Sequence, residues 1–200
     1  MPEPRSDRTN GLLLVGAMVA LMWILEVVDV IADNRLDAYG IEPRSTEGLP
    51  EIASAPFLHF GFDHLISNTV PFAVMGAVIA LSGAVRVAAV TAIVALVSGL
   101  GVWLIAPAGT LTLGASGLVF GYATYLLMRG FFNRSALELA IGVGVGVIWG
   151  GALLGGLLPQ EGISWQGHFF GAVGGVIAAR MLVTERGRTG SSSSAARAAA

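Results

Sequence analysis

Six long apolar runs, separated by shorter polar stretches, form the main pattern of the chain. A helix that rises about 1.5 Å per residue needs about 20 apolar residues to cross roughly 30 Å of hydrocarbon. The pattern predicts membrane-spanning helices near residues 11–31, 63–81, 85–105, 116–128, 136–157 and 167–183. The sequence therefore predicts an all-α membrane protein, a bundle of six transmembrane helices.

Composition supports this class and excludes others. Of the 200 residues, 54% are hydrophobic and only 12% are charged, far from the balance of a soluble domain. The net charge of -2, without a basic stripe interleaved with aromatic residues, argues against nucleic-acid binding. Because the chain has no cysteine, it contains neither a disulfide nor a thiolate nucleophile.

The polar stretches divide the chain into three parts. Residues 1–10 form a short polar segment, residues 11–183 hold the spans, and residues 184–200 have the low complexity of a disordered tail. Within the membrane domain, residues 32–56 include three prolines and several acidic residues, which predicts a large external loop between the first two spans.

Arginine positions predict the orientation. With six spans, two arginines, Arg35 and Arg44, lie on one side of the membrane and the other nine lie on the side of both termini. Short loops rich in basic residues stay cytoplasmic, so we expect both termini in the cytoplasm.

The fourth span is too short to cross the membrane. From Ser116 to Arg129 a helix covers only about 20 Å, so its upper end must begin below the outer surface, after the non-helical stretch APAGTLTLGA. Irregular backbone at that depth is tolerated where it is buried in protein or lines a wet cavity. We therefore expect Ser116 at a submerged helix N-terminus.

A histidine is expected at the same depth. His168 lies as far above Arg180 as Ser116 lies above Arg129, to within one residue. Small residues allow close helix contact, and they occur on both spans: Gly117 and Gly121 on the fourth, Gly171 and Gly175 on the sixth. This geometry suits a serine nucleophile with a histidine base. The alternative is that Ser116 only packs and His168 only bonds a neighbouring helix.

The second span adds two donors to this layer. His64 and Asn68 are four residues apart, share a helix face and lie at a similar depth. Together with the backbone amide of Ser116 they would stabilise an oxyanion. If the helix extended back to His59, this side chain would point to the opposite face. We therefore place His59 in the preceding loop, with a structural role.

The remaining charged candidates favour structural roles over catalytic ones. Glu26 and Asp29 suggest an interfacial position or hydrogen bonds to the external loop, with an acid pair as the alternative. Glu138, four residues after Arg134, predicts an i,i+4 ion pair. The histidines lack the spacing of a zinc motif, so we expect no metal and no cofactor.

These residues resemble those of the rhomboid family of intramembrane serine proteases. The resemblance rests on three separated motifs in order: HFGFDHLISN with His59, His64 and Asn68; GASG with Gly114, Ser116 and Gly117; and His168 with Gly171 and Gly175. Phe120 stands where many bacterial members have a tyrosine against the catalytic histidine. The external loop lacks the Trp-Arg pair of well-known members.

The resemblance implies a six-helix rhomboid fold in a bacterial plasma membrane, with the active site open toward the external side. It implies a Ser116-His168 dyad, an oxyanion hole of His64, Asn68 and the Ser116 amide, and single-span membrane proteins as substrates. A non-catalytic relative that binds membrane-protein clients is one alternative, and a small transporter is another. The oligomeric state is left open.

Overall fold

Helices form the regular structure of the chain. The structure is a computed structural model that describes residues 4–160 and 162–183. The helices are α1 (Pro4–Ile31), α2 (Glu51–Ser54), α3 (Phe62–Ala80), α4 (Ala84–Ile105), α5 (Ser116–Phe132), α6 (Ala136–Gly156) and α7 (Trp165–Met181). Extended pairing within these residues is limited to isolated bridges. The prediction of an all-α protein is confirmed for the described residues.

Each predicted span falls on one of the six long helices. Four of them, α1, α3, α4 and α6, are long and apolar enough to cross a membrane. The other two, α5 and α7, have 17 residues each, or about 25 Å of helix. The described part of the chain is therefore an all-α membrane protein with four helices that qualify as spans by length and composition.

Helix boundaries differ from the hydropathy pattern at polar ends. The first helix begins at Pro4 rather than near residue 11, and Asp7 on its added turns accepts a hydrogen bond from the Ala84 amide at 3.2 Å. This carboxylate satisfies a backbone donor at the start of α4. Hydropathy marks only the apolar part of a helix, so it misses such extensions. The predicted disordered tail, residues 184–200, lies outside the described residues.

The central helix of the bundle is α5, which packs against α3, α4, α6 and α7. Tyr122 and Tyr125 of α5 are fully buried, as are Phe72 and Met75 of α3. Aromatic and long apolar side chains thus fill the space around α5 on the α3 side. On the α7 side the residues are small.

Glycines bring α5 and α7 into backbone contact. A Cβ on Gly171 would collide with the carbonyl oxygen of Gly117, and a Cβ on Gly175 would collide with that of Gly121. The close approach that the glycine pattern predicted is therefore present. At this separation only glycine fits at the two α7 positions.

The segment between α1 and α3, residues 32–61, is ordered against the end of α4. Arg44 donates hydrogen bonds to the carbonyl oxygens of Ala106 at 2.9 Å and Leu104 at 3.3 Å. These carbonyl oxygens have no amide donor within α4, because they lie at its C-terminal end. Ile41 also pairs in antiparallel fashion with Thr112. Arg44 and Ile41 therefore anchor the segment in the absence of a Trp-Arg pair.

The two acidic residues of α1 have different environments. Asp29 accepts a hydrogen bond from the Leu36 amide at 2.6 Å, so its predicted bond to the following segment is confirmed. Glu26 is 2% exposed, and neither carboxylate oxygen has a hydrogen-bond partner among the described residues. The Gly61 amide faces it without reaching hydrogen-bond geometry. Glu26 therefore does not share the hydrogen bond that Asp29 makes to the following segment, although the 32–61 segment covers this end of α1. Its interfacial position stays a prediction.

The predicted ion pair of Glu138 with Arg134 is wrong. Glu138 instead binds Arg129 at 2.6 Å and accepts a hydrogen bond from Asn133 at 2.7 Å. Arg134 has φ of 52° and precedes Ser135, the N-cap of α6. Since it lies outside the helix that carries Glu138, the i,i+4 geometry does not exist.

Gly171→Ala should lower the stability of the bundle by about 1–3 kcal/mol, because the added methyl group overpacks the α5–α7 contact. Thermal unfolding in detergent micelles measures the effect. Gly144→Ala on α6 is the control, because a Cβ there meets nothing within 4 Å. Equal unfolding temperatures for the two variants would contradict the backbone contact.

Candidate active site

Ser116 is the first residue of α5, as the sequence predicted. The segment between α1 and α3 holds the preceding residues: the Gly114 amide donates to the Ala55 carbonyl at 2.8 Å, and the Ala115 amide donates to Nε2 of His59 at 3.3 Å. Gly114 has φ of 117°, a conformation that favours glycine. Two hydrogen bonds therefore fix the residues that lead into Ser116.

His168 hydrogen-bonds Ser116 across the α5–α7 contact. It lies in the first turn of α7 and is 8% exposed. Its Nε2 lies 2.8 Å from the Ser116 hydroxyl oxygen, and its Nδ1 lies 2.7 Å from the carbonyl oxygen of Gly156. A carbonyl only accepts, so Nδ1 carries the hydrogen and donates it. In the neutral imidazole Nε2 is then the acceptor for the serine O–H.

Phe120 holds the plane of this imidazole. The two rings are stacked, with centroids 4.2 Å apart and planes within 5° of parallel. Phe120 is one helical turn after Ser116, so the nucleophile and the stacking ring share one face of α5. The ring expected at this position is present, and it restricts rotation of His168 away from Ser116.

His64 lies against Gly114, two residues before the serine, and Asn68 bonds within its own helix. His64 approaches the residues before Ser116 (112–115, the serine loop) so closely that a Cβ on Gly114 would lie 2.5 Å from Cε1 of His64. The side-chain amide of Asn68 donates to the carbonyl oxygen of His64 at 2.9 Å. Among the described residues, neither side chain hydrogen-bonds Ser116.

His59 lies in the loop before α3, where the sequence placed it. It is buried, its Nε2 accepts the hydrogen bond from Ala115, and its ring meets His64 edge-on at 5.1 Å between centroids. The expected bond to loop backbone is present. It connects the segment before α3 to the residues that precede the serine.

Two parts of the site left no signal in the sequence. The Gly156 acceptor is a backbone carbonyl, which any residue supplies. Ser98 of α4 donates to the Gly167 carbonyl at 2.8 Å and lines a cavity of about 30 Å³ beside Ser116. A cavity of that size holds about one water molecule. Only the packing of α4 against α7 reveals it.

A sequence model described as the Rhomboid domain matches residues 47–185 of the chain. The chain belongs to the rhomboid family. Together with its long apolar helices, this membership makes the chain an integral membrane protein. The match covers five of the six long helices, together with Ser116, His168 and the residues around them.

Mycobacterial proteins resemble this rhomboid over most of its length. An uncharacterized protein of Mycobacterium tuberculosis is 44% identical over 172 residues, which cover 82% of this chain and 72% of the relative. An uncharacterized protein of Mycobacterium leprae is 37% identical over 201 residues, which cover 94% of this chain and 79% of the relative. These relatives indicate a bacterial origin for this rhomboid and carry no assigned activity.

Gly114→Ala should slow the reaction of Ser116 with a fluorophosphonate probe by about 10- to 100-fold, because the new methyl group displaces His64 or the serine loop by about 1 Å. The rate of labelling of the purified protein measures this. Gly109→Ala is the matched control: Gly109 also has positive φ, at 76°, but a Cβ there meets nothing within 4 Å. The same loss in both variants would mean that backbone strain, not the contact with His64, limits the site.

Proposed function

We propose that this rhomboid is an intramembrane serine endopeptidase that uses a Ser116-His168 dyad. The observation that carries the proposal is the hydrogen bond from Ser116 to a histidine whose other nitrogen is fixed by Gly156. This is the geometry of an activated nucleophile: base within reach of the hydroxyl, and base oriented by a third group.

The proposed reaction has two steps. Ser116 Oγ attacks the carbonyl carbon of the scissile peptide while Nε2 of His168 takes the hydroxyl proton; the same nitrogen then gives that proton to the leaving amine as the C–N bond breaks. A water molecule then attacks the acyl-enzyme, with its proton passing to Nε2 and then to Ser116 Oγ. The enzyme is regenerated and one peptide bond is hydrolysed.

The oxyanion would form at the N-terminus of α5. As the first helical residue, Ser116 has a backbone N–H without an acceptor inside the helix, at the positive end of its dipole. We propose that His64 and Asn68 join this donor. The contact of His64 with Gly114 supports its part, and the second N–H of Asn68 remains for the oxyanion beside the bond to His64.

We propose that all six long helices cross the membrane, with residues 32–61 as the external loop and both termini in the cytoplasm of a bacterium. The membrane domain would then comprise residues 11–183, preceded in the sequence by the polar segment 1–10 and followed by the polar segment 184–200. The short α5 and α7 support a serine below the external surface, because their first residues then start inside the bilayer.

Single-span membrane proteins are the proposed substrates. A helix in lipid has each backbone amide bonded and shielded, so a site in the membrane must admit a locally unwound segment and water. The cavity beside Ser116 and the half-buried serine loop supply a polar place at that depth. Substrates with helix-destabilising residues near the cleavage site should therefore be preferred.

Ser116→Ala and His168→Ala should each reduce cleavage of a panel of single-span substrates in liposomes by at least about 10³-fold, because nucleophile and base act as a unit. Cleavage is followed by gel, and a fluorophosphonate should label the wild type but not Ser116→Ala. Ser54→Ala, at an exposed serine, is the control and should be fully active. Wild-type cleavage in either dyad variant would refute the mechanism. A correctly folded wild type that neither cleaves nor reacts with the probe would favour a client-binding relative or a transporter.

His64→Ala and Asn68→Ala should lower kcat by about 10- to 10³-fold, less than loss of the nucleophile, because the backbone donor of Ser116 remains. The matched control is Ser67→Ala, since Ser67 also donates to the His64 carbonyl, at 2.8 Å, but is exposed. Steady-state kinetics of the three variants separate the effects. An equal decrease in the Ser67 variant would show that α3 is perturbed rather than that a donor is lost.

A further inference from the structure

An open groove lies at the end of the bundle away from Ser116. It is formed where α5 ends, α6 begins and α7 ends, and its volume is about 670 Å³. Phe131, Phe132 and Leu139 contribute apolar lining, and Arg134 and Arg180 contribute the charges. The proposed proteolysis uses no residue of this groove.

The groove carries positive charge that the described residues do not neutralise. Of the arginines at this end, Arg129 binds Glu138 and Arg86 donates to the Leu182 carbonyl. Arg134 and Arg180 are exposed and form no ion pair with any described carboxylate. The other described acid at this end, Asp7, bonds the Ala84 amide. Within the described part of the chain, two guanidinium groups therefore have no carboxylate partner and could pair with an external anion.

Local structure places both arginines at the groove. The Arg180 guanidinium lies over the Phe132 ring, 6.0 Å from its centroid. Arg134 has positive φ in the tight turn between α5 and α6, where the Ser135 amide donates to the Gly130 carbonyl at 3.0 Å. The first turn of the 21-residue α6 opens at the same place and adds the positive end of its dipole.

Apolar side chains border these charges. Phe131 is 64% exposed and Leu139 is 40% exposed, and both line the groove. An anion that also carries hydrocarbon would cover them and pair with the arginines. We propose that the groove binds an anionic glycerophospholipid, with its phosphate between Arg134 and Arg180 and an acyl chain against Phe131 and Leu139. Free phosphate matches only the charged half of this lining.

Native mass spectrometry of the purified full-length protein tests the proposal, with phosphatidylglycerol and phosphatidylcholine of identical acyl chains titrated separately. Wild type should retain one phosphatidylglycerol with higher affinity than phosphatidylcholine. Arg134→Asn, which keeps a residue that tolerates positive φ, and Arg180→Gln should each weaken phosphatidylglycerol binding by about fivefold, the effect of one basic residue near an anionic surface. Arg8→Gln, at an exposed arginine outside the groove, is the charge-matched control.

The outcomes separate a built site from general attraction. Equal retention of both lipids by wild type, or the same loss in Arg8→Gln, would overturn the proposal. Displacement of the lipid by millimolar inorganic phosphate would also overturn it, since it would identify a phosphate site only. Phe131→Ser should weaken lipid binding while leaving the arginines in place. Unchanged thermal unfolding of each variant shows that a loss of binding is not a loss of fold, and proteolysis need not be active for the measurement.

Discussion

The contact between the α5 and α7 backbones is the constraint on which the rest of the structure depends. A serine hydroxyl and an imidazole reach each other across two helices only if the helix axes are closer than most side chains permit. Gly171 and Gly175 remove the obstruction, because any Cβ there would occupy the place of an α5 carbonyl oxygen. In lipid, where apolar burial gives helices little reason to associate, such contacts also contribute the packing that holds a bundle together. Stability and the geometry of the candidate site thus come from the same residues.

The serine loop gains its order from a distant part of the chain. Ile41, Ala55 and His59 precede Ser116 by more than fifty residues, and each bonds or pairs with the stretch 112–115. These bonds satisfy backbone groups that would otherwise be unpaired in the protein interior, where an orphan amide is costly. The segment between α1 and α3 therefore supports the site from one side while α7 supports it from the other. Movement of that segment would therefore displace Ser116 through the backbone of Gly114 and Ala115.

The sequence predicted those features that depend on residue type and spacing. Six apolar runs predicted six long helices because of their length and apolar character, and the glycines of α5 and α7 predicted the contact between these helices because small residues permit close approach. Two kinds of feature were not predictable. The first depends on tertiary arrangement: Glu26 is buried because the 32–61 segment folds over it, and Arg129 rather than Arg134 binds Glu138 because a turn separates Arg134 from α6. The second is a contact made by the backbone. The Gly156 acceptor was invisible because a carbonyl has no residue identity.

That carbonyl explains how a histidine can be oriented here without an acid. A carboxylate behind the imidazole would fix the same tautomer, but it would place a second ionisable group beside His168, which is itself buried. Removing an ionised carboxylate from water is far more costly than burying a carbonyl that already has a donor. The Gly156 carbonyl, 2.7 Å from Nδ1, performs the orientation at this smaller cost, and the stacked Phe120 ring supplies the remaining restraint. An imidazolium formed during reaction would then be stabilised by a dipole rather than by a full charge. Under the proposed mechanism, this environment suits a dyad whose charge is transient better than a triad whose charge is permanent.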